Sequence, residues 1–137
     1  MNFVSMALND DELEWCKNHA CEIVEYYGGQ GTYNHNKVSS NMVGVKSEVA
    51  TSKWFSESVS NPNIQENYKH FKKRGLKGDL QVKKEVIEVK GLRPHQWDKF
   101  KRMIPPKQLK HCVRNKAIVV WTLTTGDTKS SEVKLMG

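Results

Sequence analysis

The chain has 137 residues and a formal net charge of +7 at pH 7, with 37% hydrophobic and 27% charged residues. This length suits one domain with a continuous apolar core, so we expect a single domain over residues 1–137 that needs no disulfide or structural metal. Three cysteines without a C-x-x-C spacing argue against a disulfide framework or a zinc site, and the N-terminus has neither a cationic start nor a long apolar run, so we expect a soluble, intracellular protein with free thiols.

Two helices are predicted in the first part of the chain. Asn9 is a helix-capping residue followed by three acids, and apolar residues at helical spacing continue to Tyr27, after which two glycines end the helix. Residues 28–41 are polar and rich in turn-forming residues, which predicts a loop. A second helix is predicted from about Met42 to Val59.

Strands are predicted next. Residues 67–74, 79–82 and 85–92 have the pattern of an antiparallel meander, with a turn at 75–78 and Lys83-Lys84 joining the last two strands. Pro94 opens a predicted helix through Ile104, and the double proline at 105–106 starts a second helical piece.

The most apolar run in the chain, residues 117–123, predicts a buried central strand, and residues 130–136 predict a final strand. The chain is therefore expected to have an α/β (α+β) fold with the element order α-α-β-β-β-α-β-β.

One predicted hairpin carries residues with catalytic potential. Glu88 and Lys90 are two apart on one strand and point to the same face, while Asp79 begins the strand before it. Two converging carboxylates form the kind of oxygen site that Mg²⁺ prefers, and an ammonium beside them can orient a water molecule. The same spacing suits an exposed salt-bridge ladder across a hairpin, and residue chemistry alone leaves both interpretations open.

A looser copy of this pattern occurs near the C-terminus, where Asp127 precedes Glu132-Val133-Lys134. Its aspartate lies in a predicted turn and its strand is the last of the chain. We expect this copy to be a solvated edge strand.

The arrangement resembles the PD-(D/E)XK nuclease superfamily over about residues 42–123. The resemblance rests on Gly78-Asp79, on Glu88-Val89-Lys90 on the next strand, and on the segment 44–50, GVKSEVA, which is similar to the G-x-K-G-E-x-A of many members. No proline precedes Asp79, a departure that many members share. The resemblance implies a restriction-endonuclease-like core, with helices flanking a central mixed β-sheet.

The resemblance also implies a mechanism. Magnesium, for which Mn²⁺ is expected to substitute, would be held by the side chains of Asp79, Glu88 and Glu48 and by the backbone carbonyl of Val89. Lys90 would orient the attacking water. Gln108 is similar to a glutamine that some relatives hold near the site, although simple solvation on a helix surface is the favoured interpretation.

The charge is strongly segregated along the chain. Residues 1–68 carry four Lys against nine Asp or Glu, whereas residues 69–116 carry sixteen Lys or Arg against four Asp or Glu, a net +12. Such a segment can face a polyanion, and the alternative is a solvated basic face. The candidate phosphate contacts are Lys72, Lys73, Lys77, Arg93, Lys99 and Arg102.

These observations favour a metal-dependent DNA endonuclease of restriction-like, homing or junction-resolving type, encoded by a cell or by a phage and working in the cytoplasm. The alternatives are a non-catalytic nucleic-acid-binding module on a nuclease-like fold, and a subunit that docks on an acidic protein. Acids inside the basic segment favour the enzyme, because their repulsion from DNA phosphates must be offset by a cation. Cleavage of both strands would call for a homodimer, and no membrane partner is expected.

Overall fold

A computed structural model describes residues 2–27, 37–58 and 78–137, over which four helices lie around a five-stranded mixed sheet. The elements are β1 (Val4–Ala7), α1 (Asp10–Tyr27), α2 (Val38–Ser58), β2 (Leu80–Val82), β3 (Glu85–Leu92), α3 (Pro94–Phe100), α4 (Pro106–Arg114), β4 (Ile118–Leu123) and β5 (Glu132–Leu135). The predicted strand at 67–74, the turn residues 75–77 and the loop residues 28–36 lie outside the described part of the chain.

The strands are ordered β1-β5-β4-β3-β2 across the sheet. Strands β3 and β4 are parallel, and the other neighbouring pairs are antiparallel. In the β3–β4 register Glu88 lies beside Val119 and Lys90 beside Trp121. Because strand side chains alternate between faces, Glu88 and Lys90 share one face, and Ile87 and Val89 share the other.

The face that carries Ile87 and Val89 packs against the two long helices. One core cluster joins α1 and α2 to β5 and includes Cys16, Met42, Val45 and Val133. A second cluster joins Phe55 of α2 to the hairpin, through the side chains of Leu80, Val82, Ile87 and Val89. Helix α2 therefore lies directly over the hairpin that carries the candidate site.

Two glycines allow close approaches around this hairpin. A Cβ at Gly91 would lie 2.6 Å from Ser47 Oγ, so α2 sits almost against the backbone of β3. A Cβ at Gly78 would lie 2.5 Å from Val86 Cγ1 and 2.9 Å from the carbonyl oxygen of Ile87. Both contacts are too short for any larger residue without a shift. They fix α2 next to β3, and they fix the chain just before Asp79.

The opposite face of the sheet is approached by α3 and α4. Trp97 of α3 is buried, as expected for a core tryptophan, and the Arg102 guanidinium lies 5.1 Å from its ring and 5.9 Å from the Trp121 ring. Cys112 of α4 is also buried. The candidate site therefore lies in a sheet with helices on both sides.

Most of the predicted local elements are confirmed. Helix α1 begins after Asn9, whose side-chain oxygen accepts from the Glu12 amide at 2.8 Å while a Glu12 carboxylate oxygen accepts from the Asn9 amide at 2.8 Å. The β2–β3 hairpin turns at Lys83-Lys84, where Lys83 has a φ of 55°. The double proline starts α4 as predicted.

The predicted start of α2 and the end of α3 are wrong by several residues. Helix α2 begins at Val38, so the last four residues of the predicted loop are helical; the Asn41 amide donates to the Lys37 carbonyl at 3.1 Å. Helix α3 ends at Phe100, because Lys101 has a φ of 48° and cannot continue a right-handed helix.

The predicted element order is wrong at the N-terminus, and so is the prediction that the last strand is an edge. Val4–Ala7 form the missed strand β1, which pairs with Glu132–Leu135 along its length. Strand β5 consequently lies between β1 and β4. A four-residue strand without a hairpin partner nearby in sequence gives no local signal, because its partner is at the other end of the chain.

The strand at 118–123 is central, as predicted, but it is less buried than predicted. Within β4 only Thr122 is fully buried, and Ile118 is exposed. None of the described helices is long and apolar enough to span a membrane.

Candidate functional site

Asp79 lies at the point where β2 begins to pair with β3. The first residue pair in the register is Leu80 with Ile87. One step before it, Asp79 Oδ2 accepts a hydrogen bond from the Val89 amide at 2.8 Å. The side chain of Asp79 therefore takes the place of a backbone partner and is held against the middle of β3.

The Val89 carbonyl is directed to the same edge as the Asp79 carboxylate. In a strand, the N–H and C=O of one residue point to one neighbour, and those of the next residue point to the other. The Val89 N–H meets Asp79, while the Lys90 carbonyl accepts from Thr122 Oγ1 of β4 at 3.4 Å, as this alternation requires. The predicted backbone ligand thus lies on the Asp79 side of β3.

Glu48 joins Asp79 from the helix. The side chains of Glu48 and Asp79 are hydrogen bonded to each other. The close contact between Ser47 and Gly91 explains this meeting, because it holds the neighbouring turn of α2 against β3. The contact with Glu48 adds to the environment of Asp79 and acts to lower its pKa.

The environment of Asp79 disfavours a negative charge. The pKa of Asp79 is raised to about 6, because burial and the negative charge of Glu88 outweigh the Val89 amide, Glu48 and the Lys90 ammonium, which act in the opposite direction. Asp79 is thus a carboxyl group whose negative charge is only partly compensated by the Val89 amide and Lys90. A bound cation would complete the compensation.

Lys90 is held between a carboxylate and an amide. Its Nζ lies 3.3 Å from Glu88 Oε1 and also donates to Gln108 Oε1 of α4. Gln108 is exposed on the surface of α4, as the solvation interpretation expects, and its side chain also contacts Lys90. The contact depends on how α4 is laid over the sheet.

Cys112 is a neighbour of the site that the sequence analysis missed. It follows Gln108 by one helical turn, so both residues face the sheet. Burial raises the pKa of the Cys112 thiol, and the negative charge of Glu88 raises it further. The four-residue spacing from Gln108 was the available signal, but it has meaning only once Gln108 is known to face Lys90.

The donor chemistry fits Mg²⁺, which prefers carboxylate and carbonyl oxygens together with water. The carboxylates, however, are engaged with protein partners: Asp79 with Glu48, and Glu88 with Lys90. Accordingly, across residues 2–27, 37–58 and 78–137 no group of three or more His, Cys, Asp or Glu side chains is spaced to hold a metal ion. Cation binding would have to replace the contact between Asp79 and Glu48 and turn Glu88 partly away from Lys90.

The predicted phosphate contacts differ in their surroundings. Lys72, Lys73 and Lys77 lie outside the described residues. Lys99 is exposed, with its Nζ 5.2 Å from the Phe100 ring. The Arg102 guanidinium already has partners within the protein, because it lies over two tryptophan rings and donates to the Met136 carbonyl at 2.8 Å. Arg93 donates to Ser39 Oγ at 3.4 Å.

A scan against protein-family models, a search of curated proteins and a search of solved structures found no match to this chain. Its function therefore has to be inferred from the geometry described above.

Proposed function

We propose that this chain is a divalent-metal-dependent endonuclease that hydrolyses phosphodiester bonds of DNA, with a site of the PD-(D/E)XK type. One observation carries the proposal. Asp79, a carboxyl group with a raised pKa, meets Glu48 from a helix and Glu88 from the next strand, beside the ammonium of Lys90. Three carboxyl groups and a lysine from three elements are more than a hairpin salt bridge requires.

The surroundings support a cation site over a simple ion-pair network. A structural ion pair needs one acid for each base, whereas here Asp79 interacts with both Glu48 and Glu88, and the salt bridge of Lys90 is with Glu88. Two of these acids, Asp79 and Glu88, lie within the segment 69–116 of net charge +12. A phosphate drawn to that segment would be repelled by the three acids unless a cation lay between them.

In the proposed enzyme, Asp79, Glu88 and the Val89 carbonyl hold Mg²⁺ or Mn²⁺, with Glu48 as a direct or water-mediated ligand. When bound, the cation neutralises phosphate charge and lowers the pKa of an attached water. Asp79 would bind it best above about pH 6, where its carboxyl group is ionised.

The role of Lys90 is to orient the attacking water. In the hydrolysis, the water oxygen forms a bond to phosphorus, the bond from phosphorus to the 3′ oxygen breaks, and that oxygen takes up a proton while the water loses one. Lys90 Nζ is already held by Glu88 and Gln108, so its remaining N–H can point at the nucleophile or the phosphate. No covalent enzyme intermediate is needed.

A second candidate is a non-catalytic nucleic-acid-binding module. It is favoured by the partners that the site residues already have, since Asp79 binds the Val89 amide and Glu48, and Lys90 binds Glu88 and Gln108. In such a module the cluster would only connect α2, β3 and α4.

The two candidates differ in metal binding and in turnover. Supercoiled plasmid would be incubated with the pure protein and Mg²⁺, Mn²⁺ or EDTA, and calorimetric titration with Mg²⁺ would follow binding to wild type and to Asp79→Asn. The nuclease predicts nicked or linear DNA with either metal, no cleavage in EDTA, and metal binding that the substitution weakens. Wild-type protein that binds DNA, takes up no Mg²⁺ and leaves the plasmid intact would support the binding module.

A further inference from the structure

Helix α4 carries exposed apolar side chains beside the candidate site. Leu109 is 47% exposed and Val113 is 69% exposed, and they lie one turn apart on the helix. Met103, just before the helix, is also exposed. Exposed apolar side chains that lie next to one another at the rim of a site are candidates for contact with a partner or substrate, whereas isolated ones are common on any surface.

The charges around this helix indicate an anionic partner. Residues 99–116 contain seven Lys or Arg and no Asp or Glu. Lys110 and Arg114 of α4 are exposed. An acid-free cationic surface of this kind attracts a polyanion and repels a second copy of itself.

The order of side chains around α4 follows from about 100° of rotation per residue. Gln108 and Cys112 face the sheet. Leu109 and Val113 each come one residue later, so they lie about a quarter turn round the helix, and Lys110 and Arg114 lie about another quarter turn on. The apolar stripe is therefore between the side that touches Lys90 and the cationic side.

A nucleic-acid strand with one phosphate at Lys90 and a phosphate farther along the strand at Lys110 or Arg114 would cross this stripe. In a continuous duplex the bases are stacked inside and mainly phosphates and sugars meet such a surface. Aliphatic side chains contact bases where the bases are unstacked or unpaired.

We infer that the α4 stripe of Leu109 and Val113 contacts unpaired bases, and that the substrate is DNA with a single-stranded segment next to duplex. This inference rests on the proposed function, because it assumes that the cleaved phosphate lies beside Lys90 and Gln108. In this inference α4 selects among DNA structures. The basic segment alone cannot do so, because its cations contact the phosphates of DNA of any sequence or structure.

The test measures binding with Ca²⁺ in place of Mg²⁺, because Ca²⁺ prefers the same oxygen ligands and offsets the repulsion between the acids and the phosphate; electrophoresis of the recovered probes would establish that they are intact. Fluorescence anisotropy would compare three labelled probes of related sequence: a single strand, a blunt duplex, and a duplex with a single-stranded tail. Wild-type protein is expected to prefer the tailed probe. Leu109→Gln with Val113→Thr should weaken binding of the tailed probe about tenfold, as expected when two aliphatic side chains lose buried contact, and should change duplex binding by less than about twofold.

Two control variants separate the effect of the stripe from the effect of any surface substitution and from the loss of phosphate contacts. Val4→Thr makes a matched change at a side chain that is 43% exposed on β1, the strand at the far edge of the sheet from the hairpin, and should bind every probe like wild type. Lys110→Ala with Arg114→Ala should weaken all probes together, because it removes phosphate contacts.

Equal affinity of wild type for the tailed and blunt probes would overturn the inference, as would an equal loss on all probes in the Leu109→Gln, Val113→Thr protein. Two further results would overturn it by assigning the stripe to another partner: binding to vesicles of phosphatidylserine and phosphatidylcholine that the double variant abolishes, or a dimer in light scattering that the same variant dissociates. Failure of the proposed function has a different signature. A protein that prefers the tailed probe in Ca²⁺ but never cleaves DNA with Mg²⁺ would contradict the nuclease assignment and still support the α4 contact.

Discussion

The tripeptide Glu-Val-Lys occurs in β3 and again in β5, and the two copies have different surroundings. Both lie on inner strands of the sheet, and both have a Lys–Glu ion pair, with nitrogen–oxygen distances of 3.3 Å in β3 and 3.9 Å in β5. In β3 the Lys90 and Glu88 side chains are 19% and 15% exposed, whereas in β5 the Lys134 and Glu132 side chains are 42% and 60% exposed.

The aspartates that precede the two copies differ even more. Asp79 is held against the Val89 amide, and burial together with Glu88 raises its pKa to about 6. Asp127 turns back on its own loop, where the Thr125 hydroxyl and the amides of Lys129 and Ser130 lower its pKa. The charge of Asp127 is compensated by three hydrogen bonds, whereas Asp79 lies close to the negative charge of Glu88. The Glu-Val-Lys tripeptide therefore has catalytic potential only in β3, where acids from other elements lie close to it.

The largest expected effect is on cleavage. Glu88→Gln and Lys90→Ala should each lower Mg²⁺-dependent plasmid cleavage by about a thousandfold, because each removes a group that acts on the phosphate or the cation. The matched changes Glu132→Gln and Lys134→Ala should cleave within about twofold of wild type. Rates would be taken from the loss of supercoiled DNA, with circular dichroism to establish folding. Full activity in Glu88→Gln would end the nuclease assignment.

A smaller effect on cleavage is expected at Gln108. Gln108→Ala removes the acceptor that holds Lys90 Nζ, so cleavage should fall by about ten- to a hundredfold through misplacement of the ammonium. The melting temperature should stay unchanged, because the Gln108 side chain is exposed. Gln81→Ala, a change at an exposed glutamine on β2, is the control and should cleave normally. Equal rates for the two variants would leave Gln108 without a role.

Stability should respond to pH in opposite directions at the two aspartates. The folded-state pKa of Asp79 is raised above its ordinary value of 3.8, so ionisation destabilises the metal-free fold as pH rises from about 4 through about 6. In EDTA, Asp79→Asn should match wild type near pH 4 and exceed it at pH 8 by up to about 3 kcal/mol. Denaturant unfolding at the two pH values measures the difference. An unchanged or lower stability at pH 8 would contradict the crowding of acids around Asp79.

Asp127 supplies the opposite case. Its pKa is lowered in the folded state, so its stabilisation is present above the ordinary pKa and is lost as pH falls. Asp127→Ala should therefore destabilise the protein at pH 8 by about 1 kcal/mol, through lost hydrogen bonds of the loop, and by less at low pH. The same unfolding experiments check this sign.

The smallest expected effect concerns affinity. Changing Lys72, Lys73 and Lys77 together to Ala should flatten the slope of log affinity against log salt by about 0.9 for each lysine that contacts a phosphate. Sequence preference should not change. Lys17→Ala, at an exposed lysine of the acidic helix α1, should leave the slope unchanged. A wild-type affinity that does not depend on salt would contradict phosphate binding by the basic segment.

Much of the fold could be predicted because its signals are local. The Asn9 cap, the Lys83-Lys84 turn and the double proline at 105–106 each act within a few residues, and each lies at the predicted element boundary. The missed strand β1 and the wrong edge assignment of β5 have one cause. Their pairing joins the two ends of the described chain, and a short strand gives no sequence pattern that identifies so distant a partner.

The candidate site divides in the same way. Strand alternation and a tight hairpin are local patterns, and they were enough to predict that Glu88 and Lys90 share a face with Asp79 at the start of the neighbouring strand. The contact of Glu48 with Asp79, the position of Gln108 and Cys112 over the same face, and the exposure of the second tripeptide could not be predicted in this way. These contacts join elements far apart in the chain, and they depend on close approaches such as that of Ser47 to Gly91, which follow from packing and not from any local preference.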